Sequence, residues 1–141
     1  KIITDLERIA DLAVNLGDYT LDGRGDIFPD VDISSLGNIV HTMLADSIKA
    51  YENQDSDTCF EISNRDAEVD SLCRIANQFV VKSLIETKFE GDTPLDTLDD
   101  LMSDVQRFLL TIRDIERVGD HAVNIAARTL YMVTNNDELL Y

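Results

Sequence analysis

Glu116 and Asp120 stand four residues apart, as do Asp66 and Asp70, and Glu7 and Asp11. On a helix of 3.6 residues per turn, that step stacks two side chains on one face. Two carboxylates pointing the same way supply half of an all-oxygen site for a hard cation. Four of them, gathered from two facing helices, repel one another strongly unless cations sit between them. The ordinary alternative is a solvated helix face on which Arg8, Arg113 and Arg117 neutralise the acids in surface ion pairs.

Repetition weighs against that alternative. Asp5-Leu6-Glu7-Arg8-Ile9-Ala10-Asp11-Leu12-Ala13-Val14-Asn15 returns 109 positions later as Asp114-Ile115-Glu116-Arg117-Val118-Gly119-Asp120-His121-Ala122-Val123-Asn124. Every difference is a close substitution except Leu12 against His121. Such internal similarity signals two units descended from one, and an ordinary surface has no need to keep the order of its charges. At about 100° per residue, Ile112, Ile115, Val118, Gly119, Ala122, Val123, Ala126 and Leu130 form an apolar arc. Glu116, Asp120 and Asn124 run along its shoulder, and the small residues Gly119, Ala122 and Ala126 let a neighbouring backbone approach. Asp66 and Asp70 border the packed face of an earlier helix, whereas Glu68 points to solvent. His41 and His121 do not fit a His–carboxylate metal pattern, because the Glu-x-x-His spacing is absent. His121 therefore reads as an exposed or rim residue.

The elements that position these acids are four helices without strands. The first covers roughly residues 1–20. Gly23, Gly25 and Pro29 break it, and the Arg24-Gly25-Asp26 triplet reads as loop. A second starts near Ser34 or Ser35, either of which can cap it, with Leu36, Ile39, Val40, Met43, Leu44, Ile48 and Tyr51 inward. The cluster from Asn53 to Asp57 separates it from a third, Thr58 to Lys88, whose core is Ile62, Val69, Leu72, Ile75, Ala76, Phe79, Val80 and Leu84. Gly91 suits a C-terminal cap and Pro94 the first turn of a fourth helix, Leu95–Val133, ended by Asn135-Asn136. Long helices on short loops pack antiparallel. The fold expected is thus an all-α antiparallel bundle: residues 1–20 as the last helix of a truncated repeat, 21–33 as loop, and 34–141 as a complete three-helix unit. The apolar arc of the first helix, Leu6, Ile9, Ala13 and Leu16, needs cover from this chain or from another copy, so a homo-oligomer is expected.

The 28 acids and 12 bases leave a formal charge of −16. That excludes nucleic acid and anionic lipid as direct partners, and makes capture of a bare anion awkward without a metal. No apolar run approaches the ~18 residues of a membrane span, so no direct membrane insertion is expected. No secretory leader opens the chain; Lys1–Asp5 already reads as helix interior, as in a chain entered partway. Cys59 and Cys73 share one helix about 21 Å apart, too far to bridge. Cys73 reads as a small core residue, and a reducing, cytoplasmic setting follows.

The two copies of the Asp-x-Glu-Arg string closely resemble those of PhoU proteins, and Arg65-Asp66-Ala67-Glu68-Val69-Asp70-Ser71-Leu72 resembles the acidic helix of the same unit. That family is built of two tandem three-helix units, and this chain lacks the first two helices of the first. The resemblance implies a non-enzymatic regulator of phosphate uptake. It would be an adaptor between the phosphate ABC transporter and a sensor histidine kinase that holds the phosphate-starvation response off. It also implies metal at Asp66, Asp70, Glu116 and Asp120 in a full site and at Glu7 and Asp11 in a partial one. Asn124, Asn15, Arg117 and Arg8 would form an outer layer. Iron, zinc, manganese and magnesium all remain candidates, the oxygen ligands leaning to the harder ions. Two other readings use similar helices: the cytoplasmic tail of a sodium–phosphate cotransporter, and a di-metal carboxylate enzyme, which the missing Glu-x-x-His pairs disfavour.

Overall fold

A computed structural model describes residues 1–23, 28–87, 91 and 94–140. It contains four helices, α1 (Ile2–Asp22), α2 (Ile33–Asn53), α3 (Ser56–Glu86) and α4 (Leu95–Thr134), and a closing 3-10 turn at Glu138–Leu140. No strand occurs among the described residues, so the expected all-α bundle is what forms. The Arg24-Gly25-Asp26 triplet lies outside those residues.

Local chemistry sets the helix ends, in places differently from the sequence expectation. Asp32, not Ser34 or Ser35, caps α2: its carboxylate accepts the Ser35 backbone N–H at 2.9 Å and the Ser35 hydroxyl at 2.7 Å. An aspartate three residues ahead reaches the free N–H groups better than a serine already inside the first turn. Asp55 does the same for α3 through the N–H and hydroxyl of Thr58. Gln54 and Asn135 end α2 and α4 in the left-handed region, both at φ 55°. The third helix stops at Glu86 with Thr87 as its cap, before Gly91, and Pro94 stands at the N-cap of α4 rather than inside its first turn.

The 40-residue α4 is the axis of the molecule, since α1, α2 and α3 all pack along it. Met43, Ile62, Val69, Ile112, Ile125 and Leu130, each at most 1% exposed, fill the space between α2, α3 and α4. Phe28, Val80 and Val105 form a smaller cluster at the far end, where the Phe28 ring tilts against Phe108. Arg65 of α3 bonds Asp46 of α2 at 2.7 Å. Three residues expected in the core of α3 are exposed: Leu72, Ile75 and Phe79. The apolar stripe of that helix is wider than the two neighbours that cover it.

Against α4, α1 presents Asp5, Ile9 and Leu12 as buried residues, with Leu16 and Tyr19 partly covered. Leu6 and Ala13, expected in its packed arc, face outward. The seam is polar at both ends. Asp5, 4% exposed, accepts His121 Nδ1–H at 2.9 Å, Arg128 Nε–H at 3.0 Å and the Asn124 amide at 3.3 Å. Fully buried Asp114 accepts the Tyr19 hydroxyl at 3.0 Å and two guanidinium N–H groups of Arg113. Shifting by 109 residues carries Asp5 onto Asp114 and Tyr19 onto Arg128, so each tie is the other with its roles exchanged. The two repeated helices therefore meet antiparallel about a local two-fold axis.

Burial acts most strongly on the Asp5 carboxyl and would raise its pKa, but the bonds from His121, Arg128 and Asn124 outweigh it and hold the group below its usual range. Its removal leaves partly buried His121 and Arg128 without their carboxylate partner. Asp5→Ala is expected to cost about 2–4 kcal/mol in urea unfolding, against about 1 kcal/mol for Tyr19→Phe, which leaves Arg113 on Asp114. Equal losses in the two variants would contradict this account of the seam.

Candidate metal centre

Asp66 and Asp70 project from α3 toward the Glu116–Asp120 row of α4 because Ile62, Val69 and Cys73, on the adjoining face of α3, are fully buried. The apolar face fixes the rotation of α3, and the acids ride at its shoulder. On α4 the shoulder is set in the same way by Ile112, Ile115, Val118 and Ala122. Gly119 lies opposite Asp66: a Cβ there would stand 3.5 Å from Asp66 Oδ1, an ordinary contact. Anything larger would enter the space between the acids. The matching residue of the first copy is Ala10.

One carboxylate oxygen each from Asp66, Asp70 and Asp120 lies within 4.8 Å of the others. Asp70 and Asp120 are exposed and Asp66 is half-buried. Asp66 Oδ1 is sealed from solvent and has no hydrogen-bond partner. Glu116, one turn before Asp120, stands outside the three-way cluster but within its field. Burial and then the charges of Asp70, Asp120 and Glu116 push the Asp66 carboxyl up to about 6. Burial and Asp70 also raise Asp120 and Glu116, with His121 and Arg117 partly offsetting the rise at Asp120. The buried Cys73 thiol is pushed up to about 12 by burial and by the four carboxylates together, which keeps it a neutral core residue.

Buried and surrounded by like charge, Asp66 Oδ1 is an acceptor that receives no hydrogen bond from the described residues. The donor set is all oxygen and open to solvent on one side, which fits a hard or borderline divalent ion.

The remaining expected residues are placed differently. Glu7, Asp11, Arg8 and Asn15 are exposed on α1, and no other helix faces them among the described residues. Arg117 is exposed beside Asp120. Asn124, expected in an outer layer about the acids, gives its amide to Asp5 instead. His121, expected as an exposed or rim residue, is a partly buried member of the α1–α4 seam, its side chain 17% exposed. Its counterpart Leu12 is buried in the same seam at 5%, because the local two-fold places positions 12 and 121 side by side. Asp5 and Asp114, which hold the seam, were not among the candidate residues. The available signal was that the repeated string begins with aspartate in both copies.

A family profile described as the PhoU domain matches residues 33–129. A phosphate-specific transport system accessory protein PhoU homolog of Clostridium acetobutylicum is 30% identical over 136 residues, covering 95% of this chain and 57% of the relative. PhoU homolog 1 of Methanothermobacter thermautotrophicus is 29% identical over 137 residues, covering 95% and 58%. That of Thermotoga maritima is 26% identical over 140 residues, covering 97% and 56%. The chain thus spans a little over half the length of these relatives. The profile covers more than half of the chain and takes in Asp66, Asp70, Glu116 and Asp120, and the chain belongs to the PhoU family.

Proposed function

We propose that the chain is part of a non-enzymatic, cytoplasmic regulator of phosphate uptake that binds metal at Asp66, Asp70, Glu116 and Asp120. On this reading it acts as an adaptor between a phosphate ABC transporter and its sensor histidine kinase, repressing the starvation response. The observation that carries the metal reading is the sealed, unpartnered Asp66 Oδ1 among three converging carboxylates. The phosphate reading is supported by the relatives named as accessory proteins of phosphate-specific transport. No described helix is long and apolar enough to cross a membrane.

Iron, zinc, manganese or magnesium would offset the repulsion of the acids and present a positive centre to an anion in a chain of net charge −16. Around it, buried Val69 and Cys73 close one side, and Gly119 keeps the space clear of side chain.

The outer face of α1 supports a second part of the reading. Ile3, Leu6, Leu21, Ala13 and Gly17 are exposed, while their counterparts in α4, Ile112, Ile115, Leu130, Ala122 and Ala126, are buried. In α4 those positions hold α2 and α3. On this reading a helix pair of the same kind covers α1, in the same polypeptide or in a second copy, and brings acids opposite Glu7 and Asp11. Residues 1–20 then belong to one repeat and 34–141 to another.

Elemental analysis of the purified protein is expected to find metal that is lost in Glu116→Ala/Asp120→Ala; equal metal in parent and variant would remove the site. A second expectation concerns pH. With its pKa at about 6 in the metal-free fold and about 3.9 unfolded, Asp66 holds its proton more tightly when folded. Its contribution to stability is present at low pH and lost as pH rises from about 4 through 6. The melting temperature of the metal-free chain should therefore fall more between pH 5 and 7 than that of Asp66→Asn. Identical slopes would place Asp66 in an ordinary solvated setting. Cover of α1 by a second copy predicts a light-scattering mass above the monomer at high concentration, returned to monomer by Val14→Glu. A monomer mass throughout would leave the same polypeptide as the source of that cover.

A further inference from the structure

Leu72, Ile75 and Phe79 lie on the shoulder of α3 opposite the acid cluster, roughly 160° around the helix from Asp66 and Asp70. They are 37%, 57% and 36% exposed. With Leu36 and Ile39 of α2 they line an open groove of about 270 Å³, whose mouth carries Asp30, Asp32 and Ser35. The groove follows α3 from Leu72 to Phe79, a rise of about 10 Å, or two helical turns. This length accepts a helix that inserts apolar side chains at i, i+3 or i+4, and i+7.

Charge identifies the guest. Asp30 and Asp32 are exposed at one end. Asp32 is held ionised by its bonds from Ser35, which lower its pKa. At the other end Glu68, also exposed, shares the α3 face one turn before Leu72. Arg65 is committed to Asp46, and Lys82, the cation one turn past Phe79, lies 3.9 Å from Glu86. A second copy of this chain would set the same acids against themselves, at −16 on each side. An amphipathic helix with lysine or arginine flanking its apolar stripe meets acids at both ends and fills the groove between them.

We propose that the α2–α3 groove is a docking site for a basic amphipathic helix of a partner protein. It gives the adaptor reading above a specific surface, and rests on that reading only for the existence of a partner. Metal content does not depend on it, so either can fail alone.

The test uses fluorescence anisotropy with a labelled synthetic helix of about 16 residues, leucines at i, i+3 and i+7 and lysines flanking them. A second peptide has glutamate in place of lysine. The basic peptide should bind, and the acidic one should not. Ile75→Glu should weaken binding about tenfold or more although it adds negative charge, and Asp30→Asn/Glu68→Gln should weaken it and flatten its salt dependence. Ile75 is exposed, so the variant should keep the parent's circular dichroism melt; if it does not, Ile75→Ser carries the same test. Binding unchanged or tightened by Ile75→Glu would mean general attraction to an acidic surface and overturn the proposal. So would failure of the basic peptide to bind, or self-association in sedimentation that Ile75→Glu abolishes, which would make the guest a second copy.

Discussion

Like charge brought together by apolar packing is the constraint on which this molecule turns. Asp66, Asp70, Glu116 and Asp120 gain nothing from one another, and burial of an unpaired carboxylate oxygen costs on the order of 1–3 kcal/mol or more. They are adjacent because Ile62, Val69, Cys73 and Ile112 beneath them are fully buried, each large apolar side chain contributing about 1.5–3 kcal/mol. The hydrophobic core thus holds a polar arrangement that is unfavourable by itself. Such sites are where function is to be sought, since a fold selected for stability alone would have no reason to keep them.

The same core determines what the rest of α4 has to do. One helix packs α2 and α3 on one side, carries the acid row on its shoulder, and receives α1 on another side. Few residues on it are free to serve a single purpose. His121 follows Asp120 directly and closes onto Asp5, and Asn124, one turn further, joins it there. The acid shoulder and the α1 seam are therefore built on consecutive turns of one rigid element, and a rotation of α4 that changed one would change the other.

Two shoulders of α3 take opposite characters. On one, carboxylates converge over a sealed oxygen; on the other, leucine, isoleucine and phenylalanine stand in a groove between acidic ends. The core between them runs along Val69, Cys73 and Ala76, with Val80 in the smaller cluster beyond. A helix that presents converging carboxylates and an apolar groove on separate sides is compatible with the adaptor role proposed above. The net charge of −16 acts on both: it favours cations in the first and basic segments at the second.

By itself the sequence determined the helices, the repeat and the acid pairs. Periodicity marked the stripes of α2, α3 and α4, and order preserved over a 109-residue shift marked Glu116 and Asp120 as candidate site residues. These are legible because they depend on contacts within one turn, or on comparison of the chain with itself. Tertiary structure alone decided which faces are covered. Leu72, Ile75 and Phe79 have core spacing yet stand open, because covering a stripe needs a neighbour and spacing does not supply one. His121 and Asn124 left their expected places for Asp5, a partner 116 and 119 residues away. Asp66 became the unpartnered acid rather than Asp70, its neighbour one turn on, because only the approach of α4 at Gly119 seals one oxygen of the pair and leaves the other in water. Burial is a property of two surfaces together, and one helix written out in sequence contains only the first of them.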